Sequence, residues 1–288
     1  MFLFKSTIKV GLFSRPYLIG FSPSNRLDRL LSIDLTGINK MRICFKLLPI
    51  LMVLLGEARA DVLEHRLEFP EGKGPFPTVI LLHTSGGYES TFDHIQRYKD
   101  LGYGVAHPNY YSAFGIYKEN RFTGFKEKRK DIEKALVEFV EFVKTNPKVD
   151  SNNLFTVGFS AGGFYSAFLA CERLVSAGSA HYGVWRFPCS RNKFTNFGPK
   201  QYPAQYFDKD CSPFLALHGE NDRIQRMRYV SLAFKYIQKT DNDFRIHMYD
   251  NIGHRWDRWS LYADPNSPGS DSLRRTDDFF REFIRELP

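Results

Sequence analysis

Cysteine is scarce: four residues in 288, with no C-x-x-C pair and no His/Cys spacing of a metal site. No metal or organic cofactor is therefore implied. No fixed-period repeat and no low-complexity tract appears, which argues against a solenoid or a disordered linker. Long apolar runs are also missing. The stretch Leu47 to Gly56 is too short to cross a bilayer as a helix, which needs about 20 residues. No stable membrane anchor is expected.

What is present near the start reads as a leader. Met41 to Lys46 is short and basic, Leu47 to Gly56 is apolar, and Ala58 and Ala60 stand at the −3 and −1 positions before Asp61. That order predicts a secretory signal peptide over 41–60, cleaved near Ala60, and an exported domain over 61–288. Residues 1–40 are then read as an upstream mis-assigned start. The leader also removes an apparent charge signal. The whole chain is formally +8, but residues 1–60 hold nine of its 40 Lys/Arg and three of its 32 Asp/Glu. Residues 61–288 carry 31 basic against 29 acidic residues, and no nucleic-acid partner is expected. In an exported chain one disulfide is plausible. Cys189 and Cys211, flanking an irregular segment, are the expected pair, and Cys171 reads as a buried apolar residue.

From residue 62 onward, strand and helix patterns alternate. Strands are expected at Val62–Phe69, Thr78–Leu82, Gly104–Ala106, Asn153–Phe159, Gly178–Gly183, Pro213–His218 and Phe244–Tyr249. Helices are expected at Thr91–Leu101, Asp131–Lys144, after Ser160, at Arg226–Lys239 and at Ser272–Glu286. This alternation implies an α/β fold, a mostly parallel sheet with helices on both faces. Ligands then bind beyond the carboxyl ends of the strands. His83, Ser160, Asp222 and His254 all fall just after expected strands. The stretch 182–211, aromatic and aperiodic, reads as a cap over that edge.

The run Gly158-Phe159-Ser160-Ala161-Gly162 is a G-x-S-x-G sequence between a strand and a helix. In that context the serine sits on a sharp turn with Oγ exposed, and small neighbours let strand and helix approach. Serine needs a base, and the base needs an orienting acid. In the order Ser, acid, His, the candidates are Asp222 and His254, with Glu220 the competing acid. An oxyanion hole needs two backbone amides. One is expected from Ala161; the other from the loop His83-Thr84-Ser85-Gly86-Gly87, with Ser85 favoured over Thr84. Tyr88, Trp185 and Trp256 are candidate substrate-binding aromatics.

Taken in order, His83-Thr84-Ser85-Gly86-Gly87, Gly158-Phe159-Ser160-Ala161-Gly162-Gly163, His218-Gly219-Glu220-Asn221-Asp222 and Asn251-Ile252-Gly253-His254 resemble the dienelactone-hydrolase-like group of α/β-hydrolases. The resemblance spans about residues 61–288 and implies the α/β-hydrolase fold. Dienelactone hydrolases proper carry a cysteine in the elbow. Ser160 in its place favours a broader serine esterase acting on a small-molecule ester or lactone. Peptide cleavage and acyl transfer to an alcohol use the same machinery, and a non-catalytic binding protein is the reading of a different class. Oligomeric state is not legible.

Overall fold

Strand β2 (Phe76–Leu82) shows how the layers arise. Side chains alternate across a strand, so Val79 and Leu81 face one way while Ile80 and Leu82 face the other. All four are fully buried, in two separate apolar clusters. A strand buried on both faces requires helices on both faces.

The computed structural model describes residues 63–186, 203–257 and 264–286. The leader expected in 1–60, residues 187–202 with Cys189, and residues 258–263 lie outside these. Seven strands form one sheet in the order β1-β3-β2-β4-β5-β6-β7. The others are β1 (His65–Glu68), β3 (Gly104–Pro108), β4 (Val149–Phe159), β5 (Ala177–His181), β6 (Phe214–Gly219) and β7 (Phe244–Tyr249). Only the edge pair β1–β3 is antiparallel; every other pair is parallel.

The helices are α1 (Phe92–Asp100), α2 (Arg121–Glu127), α3 (Arg129–Lys144), α4 (Ala161–Cys171), α5 (Met227–Ile237) and α6 (Pro268–Arg281). Ile95 and Tyr98 of α1 pack with Phe279 and Phe280 of α6 on the face of Val79 and Leu81. On the other face α3, α4 and α5 bury Leu136, Leu169 and Phe234 against Ile80 and Leu82. Every residue of α4 is buried, as its all-round apolar sequence requires.

Most element boundaries shift by a few residues from the sequence expectation, and two of the shifts have a clear local cause. The last helix begins four residues earlier than Ser272, because Ser267 caps it through its hydroxyl (Oγ accepts from the Ser270 amide, 3.2 Å) and Pro268 occupies the first turn. Strand β4 reaches back to Val149, beyond the apolar run, through its pairing with Phe76 across a register shift.

The cysteine pairing is corrected: Cys211 is bonded to Cys171, not to Cys189. Cys171 ends α4, and the lead-in to β6 runs alongside it. Ser212 donates its amide to Ala170 O (2.9 Å) and its hydroxyl to Val175 O (2.6 Å). The two Cα atoms stand 4.0 Å apart. The described ends of the expected cap also pack into the body. Trp185 contacts Phe214, Phe234 and Phe244, while Tyr206 meets Phe164 and Phe168 of α4.

Candidate active site

Strand β4 delivers Ser160 at its carboxyl end, and α4 starts at the next residue. Ser160 has φ 52° and ψ −110°, a strained conformation for a residue with a side chain. Its amide donates to His181 O (3.0 Å), and its carbonyl accepts from the Gly163 and Val184 amides (3.1 and 2.9 Å). The turn is thus held from the next strand over. Gly162 is obligatory here: a Cβ on it would lie 2.2 Å from Leu82 O of β2.

The loop after β7 brings His254 to this serine. Its Nε2 lies 3.0 Å from Ser160 Oγ, and its Nδ1 lies 2.7 Å from Asp222 Oδ2. A carboxylate only accepts, so Nδ1 carries the proton and donates it to Asp222. Nε2 is then the lone-pair nitrogen, and the Ser160 hydroxyl donates to it.

Asp222 comes from the loop after β6. Its Oδ1 accepts from the Ile224 and Gln225 amides, both at 2.8 Å, and its side chain is fully buried. His218 Nε2 lies 3.3 Å from Oδ2 and donates to Gln225 O at 3.1 Å. Burial pushes the Asp222 carboxyl up, but the hydrogen bond and charge of His254, with the Gln225 amide, outweigh it, and the group is held below its usual value. His218 is driven the other way, lowered by burial despite the charge of Asp222. Glu220 is exposed at the loop surface, and Asp222 rather than Glu220 meets His254. The two loops interlock at Gly219, where a Cβ would lie 2.4 Å from Ile252 O, and the Asn221 amide donates to Ile252 O (2.9 Å).

The loop after β2 folds onto itself. The Thr84 amide donates to Ser90 Oγ (3.2 Å), and the Gly86 amide to Thr84 Oγ1 (2.9 Å). The Ser85 amide donates to none of the described residues. Ala161 is the first residue of α4, where helix amides lack intrahelical partners and the helix dipole favours negative charge. His83 is buried and stacked on Tyr110 (centroids 3.8 Å apart); burial lowers its pKa to about 4, so it is neutral near pH 7.

Tyr88 lines a cavity of about 240 Å³ with Ser85, Asn109, Tyr111, Ile116 and Tyr117. The two tryptophans are placed differently. Trp185, 2 % exposed, is a core residue behind β6, packed edge-on against three aromatic rings, Phe214, Phe234 and Phe244. Trp256 is buried against Tyr182 and Tyr249 (centroids 4.9 and 5.1 Å) and packs beneath the loop that carries His254. His218, near the carboxyl end of β6, also meets Asp222 and is absent from the expected site residues. Its spacing of four residues from Asp222, across the turn that follows the strand, is the sequence signal for it.

Among the described residues no group of His, Cys, Asp and Glu has the arrangement of a metal site. No helix of the described residues is long and apolar enough to cross a membrane.

A model of the dienelactone hydrolase family matches residues 63–284. A search of curated proteins gave no match. Among solved structures, a Klebsiella pneumoniae protein assigned as a dienelactone hydrolase is 19% identical, with 76% of this chain and 92% of that one covered and a TM-score of 0.65. A dienelactone hydrolase-like promiscuous phosphotriesterase from metagenomic libraries is 17% identical over 77% of this chain and 92% of that one, with a TM-score of 0.61. Pyrococcus horikoshii acylaminoacyl peptidase is 16% identical; 80% of this chain aligns with 41% of that one, at a TM-score of 0.61.

Proposed function

The chain belongs to the dienelactone hydrolase family, and from that premise we propose that it cleaves a carboxylic ester or lactone through an acyl-enzyme on Ser160. The observation that carries this reading is the continuous line of hydrogen bonds Ser160 Oγ–His254 Nε2 (3.0 Å) and His254 Nδ1–Asp222 Oδ2 (2.7 Å) at the carboxyl edge of the sheet.

In the proposed reaction Ser160 Oγ attacks the acyl carbon as His254 Nε2 takes its proton. Asp222 holds the imidazole in the required tautomer and stabilises the imidazolium. The carbonyl oxygen becomes an oxyanion between the Ala161 and Ser85 amides. Collapse breaks the bond to the leaving oxygen, which receives the proton from His254. Water then attacks the acyl-enzyme with His254 again as base. The second collapse releases the carboxylic acid and returns the proton to Ser160. Tyr88 and the 240 Å³ cavity beside Ser85 stand next to this oxyanion position and would hold one arm of the substrate.

Ester over peptide is favoured by the family itself, whose model spans residues 63–284. Export is part of the proposal. The Cys171–Cys211 disulfide fits an oxidising compartment, and the leader at 41–60 fits the same route.

A fluorophosphonate probe tests the nucleophile. It should label the protein on the peptide containing Ser160, and Ser160→Ala should abolish labelling. A folded wild type that stays unlabelled overturns the serine mechanism. N-terminal sequencing of secreted material should begin at Asp61; retention of residues 1–60 overturns the leader.

A further inference from the structure

Three residues beyond His254 the chain buries a second carboxylate, which the proposed reaction does not use. Arg255 turns the backbone inward at φ 63°, and Trp256 and Asp257 follow it into the core. Burying a carboxylate is unfavourable unless donors compensate. Here the Tyr182 hydroxyl and His94 Nε2–H (3.1 Å) both donate to Asp257 Oδ2. Burial raises the Asp257 carboxyl, but His94 and Tyr182 outweigh it and hold it below its ordinary value.

Each donor touches a different part of the site. Tyr182 follows β5, and its ring meets the His254 imidazole edge-on, centroids 4.7 Å apart. His94, on α1, stacks on Phe159 at 4.0 Å and 24°, and Phe159 precedes Ser160. One carboxylate oxygen therefore joins the loop that carries the base, the ring beside the base and the ring beneath the nucleophile. The buried His181 imidazole also lies close enough to feel both His94 and Asp257, and the apolar cluster of Phe155, Phe159, Tyr249 and Trp256 packs on the same face of the sheet.

The hydrogen bond to Asp222 fixes one atom of the His254 ring. Small coupled rotations about χ1 and χ2 can still tilt the ring while that bond bends, and the tilt moves Nε2 away from Ser160. The Tyr182 ring stands against that motion, and Asp257 holds Tyr182. We propose that Asp257 is a positioning residue, which with Tyr182 and His94 keeps His254 Nε2 aligned on Ser160 Oγ. This rests on the reading of His254 as the base.

A misplacement of about 1 Å at a reacting atom lowers a rate by roughly 10²-fold. Asp257→Ala, which removes the shared acceptor, should lower kcat on p-nitrophenyl acetate by about ten- to a hundredfold on that scale with KM within about twofold. Asp257→Asn should restore most of that loss, because its single carbonyl oxygen can accept from both donors. Tyr182→Phe, which keeps the ring and drops one hydrogen bond, should lower kcat by about three- to tenfold, less than Asp257→Ala because the ring still stands against His254. An independent readout is the low-field proton of His254 Nδ1–H, assigned by its loss in His254→Ala. It should persist in wild type and Asp257→Asn and broaden in Asp257→Ala.

Wild-type kcat with an unchanged resonance in folded Asp257→Ala overturns the proposal. If Asp257→Ala does not fold, Tyr182→Phe decides: unchanged kcat and an unchanged resonance overturn it, and the expected fall supports it. A wild type without esterase activity or probe labelling would defeat the hydrolase reading. The proton resonance would still show whether Asp257 orders the His254 ring.

Discussion

Replacing Asp222 by asparagine isolates the tautomer from the shape of the site. Asp222 Oδ1 accepts two amides, from Ile224 and Gln225, and Oδ2 accepts from His254 Nδ1. Asparagine has one acceptor oxygen for these three donors. In one orientation the oxygen keeps the two amides and the NH₂ faces His254. The imidazole must then carry its proton on Nε2, and nothing remains to take the proton of Ser160. In the other orientation His254 keeps its tautomer, but the part-buried Ile224 and Gln225 amides lose their acceptor at about 1–3 kcal/mol each. The unproductive arrangement is favoured by about 2–6 kcal/mol, because two such losses are at stake. At 1.36 kcal/mol per decade this is a fall in kcat of about 30-fold to 10⁴-fold. His218 keeps Gln225 O as its acceptor in either orientation. Steady-state hydrolysis of a p-nitrophenyl ester measures the loss, and ¹⁵N chemical shifts of His254 report the tautomer. An Asp222→Asn enzyme within about threefold of wild type, with Nδ1 still protonated, would refute the reasoning, because the lower bound above is about 30-fold.

Acid should unfold the protein early. Burial lowers the pKa of His83 to about 4 and those of His107 and His181 to about 3, with neighbouring histidines adding to the last two. The unfolded chain protonates near 6.5, so stability is full above that pH and falls as pH drops toward the folded values; at pH 5 each residue costs about 2 kcal/mol. Urea midpoints at pH 7.5 and pH 5 should differ clearly, and equal midpoints would count against neutral buried imidazoles. Breaking the disulfide by Cys171→Ser with Cys211→Ser closes no loop across its separation of 40 residues, and should cost about 4 kcal/mol in the chain-entropy picture. Non-reducing peptide mapping checks the pairing, and a Cys189–Cys211 peptide would contradict it. Gly162→Ala should abolish probe labelling, because its Cβ meets Leu82 O at 2.2 Å and forces β2 from the elbow; wild-type labelling would show that the elbow tolerates the shift.

The strands were legible because a strand buried on both faces is a short continuous apolar run, as in Thr78 to Leu82, and because parallel order places each loop at one edge. The positions of Ser160, Asp222 and His254 after β4, β6 and β7 follow from that alone. What was not legible depends on contacts between elements distant in sequence. Cys171 found Cys211 because the lead-in to β6 packs on the end of α4, whereas loop proximity favoured Cys189. Trp185 looked like a pocket aromatic, but the β6 register sets Phe214 beside it. The contact of His94 with Asp257 spans 163 residues, and no local pattern encodes it.

The histidines divide by what their surroundings allow. His83, His107 and His181 are buried and kept neutral, so they act as packed polar groups and cannot hold a proton during a reaction near pH 7. In the proposed reaction the base for Ser160 does the opposite: it becomes charged in the transition state. That requires a negative partner which is itself ionised in a dry site. Asp222 meets the requirement because two amides, His254 and His218 surround it, and their donors outweigh the cost of its burial. The site therefore places the permanent charge inside and the ring that must gain charge outside it, where the His254 side chain keeps some contact with solvent. Exchanging those positions would bury the histidine and hold it neutral like the other three. The order from the interior outward, carboxylate, imidazole, hydroxyl, thus follows from the electrostatics of burial as much as from the fold.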